Sequence, residues 1–149
     1  MSSKVGNILN DLIETSKDGE EGFRKAAELV SDKSLKTIFL ERAEGCKKAV
    51  SVLQKHAALY DTEPKQSGSV SGTIHRGWLN IKSMFSGDSD HAILEECERG
   101  EDVAKASYAK ALSQELPNDI RTIVEHQNEV LLKNHDLIRD LRDKYNTEK

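Results

Sequence analysis

Glu20 and Glu101 are the residues of this chain best spaced to do chemistry. Glu20 belongs to a row that steps by four and three: Leu9, Ile13, Ser16, Glu20, Phe23, Ala27, Val30. The row Asp90, Leu94, Cys97, Glu101, Ala104, Tyr108, Ala111 repeats it position for position, with a Glu in the same place. Such steps mark one face of an amphipathic helix, so both carboxylates are expected to enter a helical core. A second matched pair of rows is Leu35, Phe39, Arg42, Cys46, Ala49, Leu53 and Ile120, Val124, Gln127, Leu131, Asn134, Ile138. It puts Arg42 and Gln127 at equivalent places. Measured along the chain from the nearest turns, the four polar residues stand at similar heights. One buried layer of Glu20, Arg42, Glu101 and Gln127 is predicted.

Two glutamates in a core need positive charge, because an unpaired buried carboxylate is costly and a facing pair repels. Arg42 can supply it, since a guanidinium stays charged when buried and can fork to two carboxylates. The expected arrangement is a Glu20–Arg42–Glu101 network closed by the Gln127 amide, with no cofactor and no catalytic residue. Metal ions are the other solution. Di-iron bundles use one Glu from each of two helices and Glu-x-x-His from each of the other two. This chain contains no Glu-x-x-His: helix two offers Glu41 and Glu44, helix four His126 and Glu129 in reversed order. The alternative is a degenerate iron site of Glu20, Glu44, Glu101 and His126.

Other polar motifs are read mainly as structure. Trp78, after His75-Arg76-Gly77, is expected to pin the crossover to the bundle, with His75, Arg76 and Trp78 as an alternative anion or partner surface. His135-Asp136 reads as a surface hydrogen-bonded pair. Gly19 and Gly22 are read as a level where helices approach closely, with room for a ligand as the competing use. No nucleophile–base pair, phosphate loop or nucleotide fingerprint is present.

The elements that must position these residues are four long helices, predicted at 3–30, 33–60, 89–113 and 117–145. Ser31-Asp32 turns and caps the second, and Pro117 suits the first turn of the last. Between the hairpins lies a crossover over 61–88, longer than an ordinary loop. It contains Ser67-Gly68-Ser69-Val70-Ser71-Gly72 and a short helix over 73–85. The expectation is one all-α domain over 1–149, a ferritin-like four-helix bundle of two antiparallel hairpins.

The composition agrees. Hydrophobic residues make up 36% of the 149 and charged residues 32%, which gives a thin apolar seam and long solvated faces. The net charge of −4 argues against nucleic-acid binding through a basic field. No run reaches membrane-spanning length, and Cys46 and Cys97 read as buried thiols of a reducing compartment. A cytoplasmic protein is expected.

Several motifs together resemble a known family: Leu9-Asn10-Asp11-Leu12-Ile13-Glu14, Asp18-Gly19-Glu20-Glu21-Gly22-Phe23, Ser67-Gly68-Ser69-Val70, His75-Arg76-Gly77-Trp78, Glu98-Arg99-Gly100-Glu101-Asp102 and His135-Asp136-x-Ile138. They resemble a bacterial family of uncharacterised four-helix-bundle proteins, a domain of unknown function within the ferritin-like superfamily. The resemblance implies a ferritin-like fold and a bacterial cytoplasmic protein, and brings no activity with it. The expected function is therefore a non-catalytic structural or protein-interaction bundle, stress-related, forming a homodimer or binding another protein. The alternatives are a divergent di-iron oxidase or peroxidase, and a small-ligand carrier that would need a cavity at the glycine level.

Overall fold

The computed structural model describes residues 4–60, 77–85 and 87–146. Among these residues the chain is all-helical: α1 (Lys4–Leu29), α2 (Lys33–Ala58), α3 (Leu79–Ser83), α4 (Asp90–Leu112) and α5 (Asn118–Asn146). Side chains start the helices where the sequence supplies caps. Asp32 accepts from the Ser34 N–H at 2.8 Å, and Ser89 accepts from the Ala92 N–H at 3.1 Å, each satisfying an orphan amide of the first turn. Pro117 precedes α5, its carbonyl accepting from the Arg121 N–H at 2.9 Å.

The long helices lie close to the expected bounds. Of the helix predicted over 73–85, residues 73–76 lie outside the described residues. Gly77 takes a φ of +95° and Met84 turns extended, so within 77–85 only Leu79–Ser83 is helical. Of that stripe Ile81 is buried, while Phe85 is 65% exposed.

Two core clusters fix the helix directions. One gathers the end of α1 (Phe23, Ala27), the start of α2 (Leu35, Phe39), the start of α4 (Ile93, Leu94) and the end of α5 (Ile138). The other gathers the start of α1 (Leu9, Ile13), the end of α2 (Leu53, Ala57), the end of α4 (Tyr108, Ala111) and the start of α5 (Ile120, Val124). Hence α1 and α5 run one way, and α2 and α4 the other. Because α2 and α4 are parallel, the chain between them must travel the length of a long helix, ~39 Å for 26 residues. A crossover of this size meets that need, which a tight turn could not.

Polar bonds tie the elements at the end where α2 begins. The Asp90 carboxylate accepts from the backbone N–H groups of Ser31 at 2.8 Å and Asp32 at 3.1 Å. The Tyr145 hydroxyl donates to Asp32 at 2.5 Å. Packing is unequal around the bundle: α1 lies closely on α2, α4 on α5 and α1 on α4, whereas α2 and α5 barely meet. The space between α2 and α5 is where a site can open. No described helix is long and apolar enough to cross a membrane.

Candidate functional site

Arg42 enters the core from α2 and Glu101 from α4, and they are 9% and 2% exposed. Arg42 Nη2 lies 3.5 Å from Glu101 Oε2, a long, single-point pair. The guanidinium also sits over the Phe23 ring, 5.4 Å from its centroid, a favourable placement for a desolvated cation. Glu101 Oε1 and Arg42 Nε are buried without a hydrogen-bond partner. Burial pushes the Glu101 carboxyl up to about 7, and the Arg42 charge opposes this without cancelling it. The pair is thus under-satisfied: more desolvation than hydrogen bonding.

Only two members of the predicted four-residue layer meet as expected. Glu20 does not reach Arg42; its carboxylate lies 3.1 Å from Arg24 of its own helix. One position along a helix turns a side chain by about 100°, so a residue on the edge of the stripe finds an i,i+4 partner nearer than the core. Gln127 joins a different chain of bonds. Its Oε1 accepts from the Tyr108 hydroxyl at 2.8 Å, and its Nε2 approaches the Ala49 carbonyl at 3.5 Å. The Tyr108 hydroxyl also lies 3.3 Å from Ser16 Oγ. Ser16 and Tyr108 each stood on one of the matched rows, at non-equivalent places, so the rows predicted that both face the core but not that they bond to each other.

Beside these groups lies a cavity of about 270 Å³, lined mostly by apolar atoms. Its floor includes Arg42, Glu101 and Tyr108, and its walls include the glycines Gly19, Gly45 and Gly100. Lys48 and Val52 of α2 face His126 and Val130 of α5 at its rim, all four exposed. The cavity therefore reaches solvent through the α2–α5 gap.

Gly22 works differently from the expected close helix approach, whereas Gly19 of α1 does lie close to Cys46 of α2. The Trp78 indole occupies the space that a Cβ on Gly22 or on Gly100 would need. It packs edge-on against Phe23, with ring centroids 5.0 Å apart, and is 2% exposed. Gly77 passes against the backbone of α4, near Arg99 O and Gly100 Cα, which its positive φ makes feasible. Trp78 therefore pins the crossover, as expected, and is not available as an interaction surface. His75 and Arg76 lie outside the described residues.

The residues expected for a metal site do not fit one. Glu44 and His126 are exposed, Glu20 is held by Arg24, and Glu101 faces a guanidinium. A dinuclear centre needs these donors to converge on shared ions, and they do not. Among the described residues the only three His, Cys, Asp or Glu side chains with ligand atoms within 4.8 Å of one another are Glu98, Asp102 and His135. Protein groups already occupy these donors: His135 Nε2 lies 2.7 Å from Asp102, and Arg142 holds Glu98 in a close ion pair. This corrects the reading of His135-Asp136 as a surface pair. His135 is buried and its short bond crosses to α4, while Asp136 stands 3.8 Å from Nδ1.

The two thiols are unsuited to nucleophilic work. Burial pushes Cys46 up to about 11 and Cys97 well above its ordinary value, so neither supplies thiolate near neutrality. Both cysteines are free.

In comparisons with known proteins, no curated protein matches the chain in sequence. A family model does match, and its span takes in α1 to α4 with Arg42, Trp78 and Glu101, while α5 with Gln127 lies beyond it. The chain belongs to that family, described as a domain of unknown function (DUF2383), over residues 4–114.

Proposed function

We propose that this protein is a non-catalytic bundle of the ferritin-like kind that binds a small, largely apolar molecule between α2 and α5. The observation that carries this reading is the mid-bundle cavity of about 270 Å³, floored by the Arg42–Glu101 pair. An apolar cavity of about 150 Å³ already takes benzene, and a concave apolar site with a few convergent polar groups is the usual form of a small-molecule pocket. The ferritin-like topology is supported by the parallel course of α2 and α4 and by the resemblance noted above. A non-catalytic role is supported by the neutralised charge pair and the protonated thiols. The resemblance and the two free cysteines support a bacterial cytoplasmic setting.

Trp78 is the sole tryptophan and lines the cavity, so its fluorescence reports occupancy. Toluene is expected to change that emission saturably. Ala49→Phe, which fills the cavity from α2, is expected to abolish the change while leaving the helical circular dichroism intact. Saturable binding by Ala49→Phe as strong as by the unsubstituted protein would defeat the proposal.

A protein-interaction role is the second reading, supported by exposed apolar side chains along the α2–α5 side: Val52 on α2, Val130 and Leu137 on α5. A homodimer through this face would appear in light scattering as twice the monomer mass, lost on Val52→Lys with Leu137→Lys. A monomer at all concentrations tested would remove it.

A further inference from the structure

The cavity carries an excess of positive charge. Arg42 and Lys48 line it against the single carboxylate Glu101. Arg42 spends only Nη2 on that carboxylate, although a guanidinium has five N–H donors. Nη1 sits 3.0 Å from where a Cβ on Gly45 would stand, and among the described residues no acceptor takes a hydrogen bond from it. Gly45 also lines the cavity. The missing side chain therefore opens a place beside a free guanidinium arm.

Resting on the ligand-binding reading above, we propose that the occupant is a small apolar monocarboxylic acid. Its carboxylate docks on the free arm of Arg42 beside Gly45, and its body lies along the apolar wall. Where Glu101 is ionised, uptake brings it one proton. Arginine and a carboxylate make the strong, directional pair that the long Arg42–Glu101 contact is not. A second anion on Arg42 removes part of the counter-charge of Glu101. Burial already favours the protonated form of that group, so a Glu101 that is still ionised takes a proton from solvent. One anion and one proton then enter together, and the net charge of the cavity does not change; a Glu101 already protonated needs no further proton to accept the anion. A neutral alcohol or hydrocarbon fits the volume but leaves the guanidinium arm unused.

Other charged or titratable groups around Glu101 bear on the proton. Arg42 and Cys46 face it from α2, Cys97, Glu98 and Asp102 belong to its own helix, and Glu20 of α1 acts on Cys46. Tyr108 and the two thiols stay protonated near neutrality, since burial raises all three. His126 also lines the cavity, from α5, so the test must separate it from Glu101.

The test titrates the protein with benzoate, benzamide and toluene at pH 6 and pH 8, following Trp78 emission and the heat of binding. Benzoate is expected to bind about tenfold more tightly at pH 6 than at pH 8, as coupling to a carboxyl that is half protonated near pH 7 before binding requires, with toluene and benzamide insensitive. Glu101→Gln should bind benzoate equally at both values. Arg42→Met should keep toluene and lose benzoate, and His126→Gln should keep the tenfold step. Benzoate binding that ignores Arg42→Met, or a pH step removed by His126→Gln and retained by Glu101→Gln, would overturn the inference. Toluene binding without benzoate binding overturns it alone; failure of every probe overturns the ligand-binding reading as well.

Discussion

The indole of Trp78 fills the space that a side chain on Gly100 would occupy. The same ring covers Gly22 from the other side, so α1 and α4 clasp one aromatic plate delivered by the crossover. An alanine at either position would gain about 1 kcal/mol of helix propensity and lose more by displacing the ring, since overpacking costs about 1–3 kcal/mol. Gly22→Ala and Gly100→Ala are each expected to lower the urea midpoint. Gly19→Ala meets only Cys46 Sγ, at 3.1 Å, a contact that a small shift relieves; it should be neutral or stabilising. Equal effects at all three sites would contradict this account of the clasp.

The pH dependence of stability follows from Glu101. Its carboxyl is raised from 4.5 to about 7 in the folded protein, so between those values the folded state binds more protons than the unfolded state. Stability therefore increases as pH falls from 7 to 4.5, by about 3 kcal/mol for a shift of this size, and is flat above 7 as far as this group is concerned. Glu21 is shifted in the same direction. Asp32, lowered from 3.8 to about 2, acts oppositely below 3.8. Urea melts of the unsubstituted protein and Glu101→Gln at pH 5, 6, 7 and 8 isolate the Glu101 share, because only that share disappears in the variant.

Tyr108→Phe tests the hydroxyl chain. The substitution keeps the ring and removes the bonds to Gln127 and Ser16, leaving the Gln127 oxygen in need of a donor. A loss of about 1–3 kcal/mol is expected, measured by denaturant unfolding. A smaller loss in the double variant Tyr108→Phe with Gln127→Leu would show that the cost lies in the abandoned partner.

Asp90→Ala tests the clamp at the α1–α2 turn. Two backbone N–H groups lose their acceptor, at a cost of about 1–3 kcal/mol. Amide exchange at Ser31 and Asp32 should accelerate before exchange in the core of α2 does.

Much of the fold was legible in the chain itself. Four apolar stripes at helical spacing, Ser31-Asp32 as a turn and cap, and a crossover too long for a tight loop were local signals, and the helices formed where those signals placed them. Gly77 was a weaker guide: its positive φ keeps it out of the helix Leu79–Ser83, and that φ depends on how closely the chain must pass α4.

The candidate site was only half legible. Periodicity determined that Arg42 and Glu101 enter the core, because a side chain on the apolar face of a packed helix has nowhere else to go. The partner of each polar group depended on rotations between helices that no repeat within one helix specifies. That is why Glu20 turned to Arg24, Gln127 to Tyr108, and His135 to Asp102 instead of Asp136. The cavity lay further still from the sequence. It exists because α2 and α5 stand apart while α1 and α4 close on Trp78, and an empty volume is a property of all its walls at once.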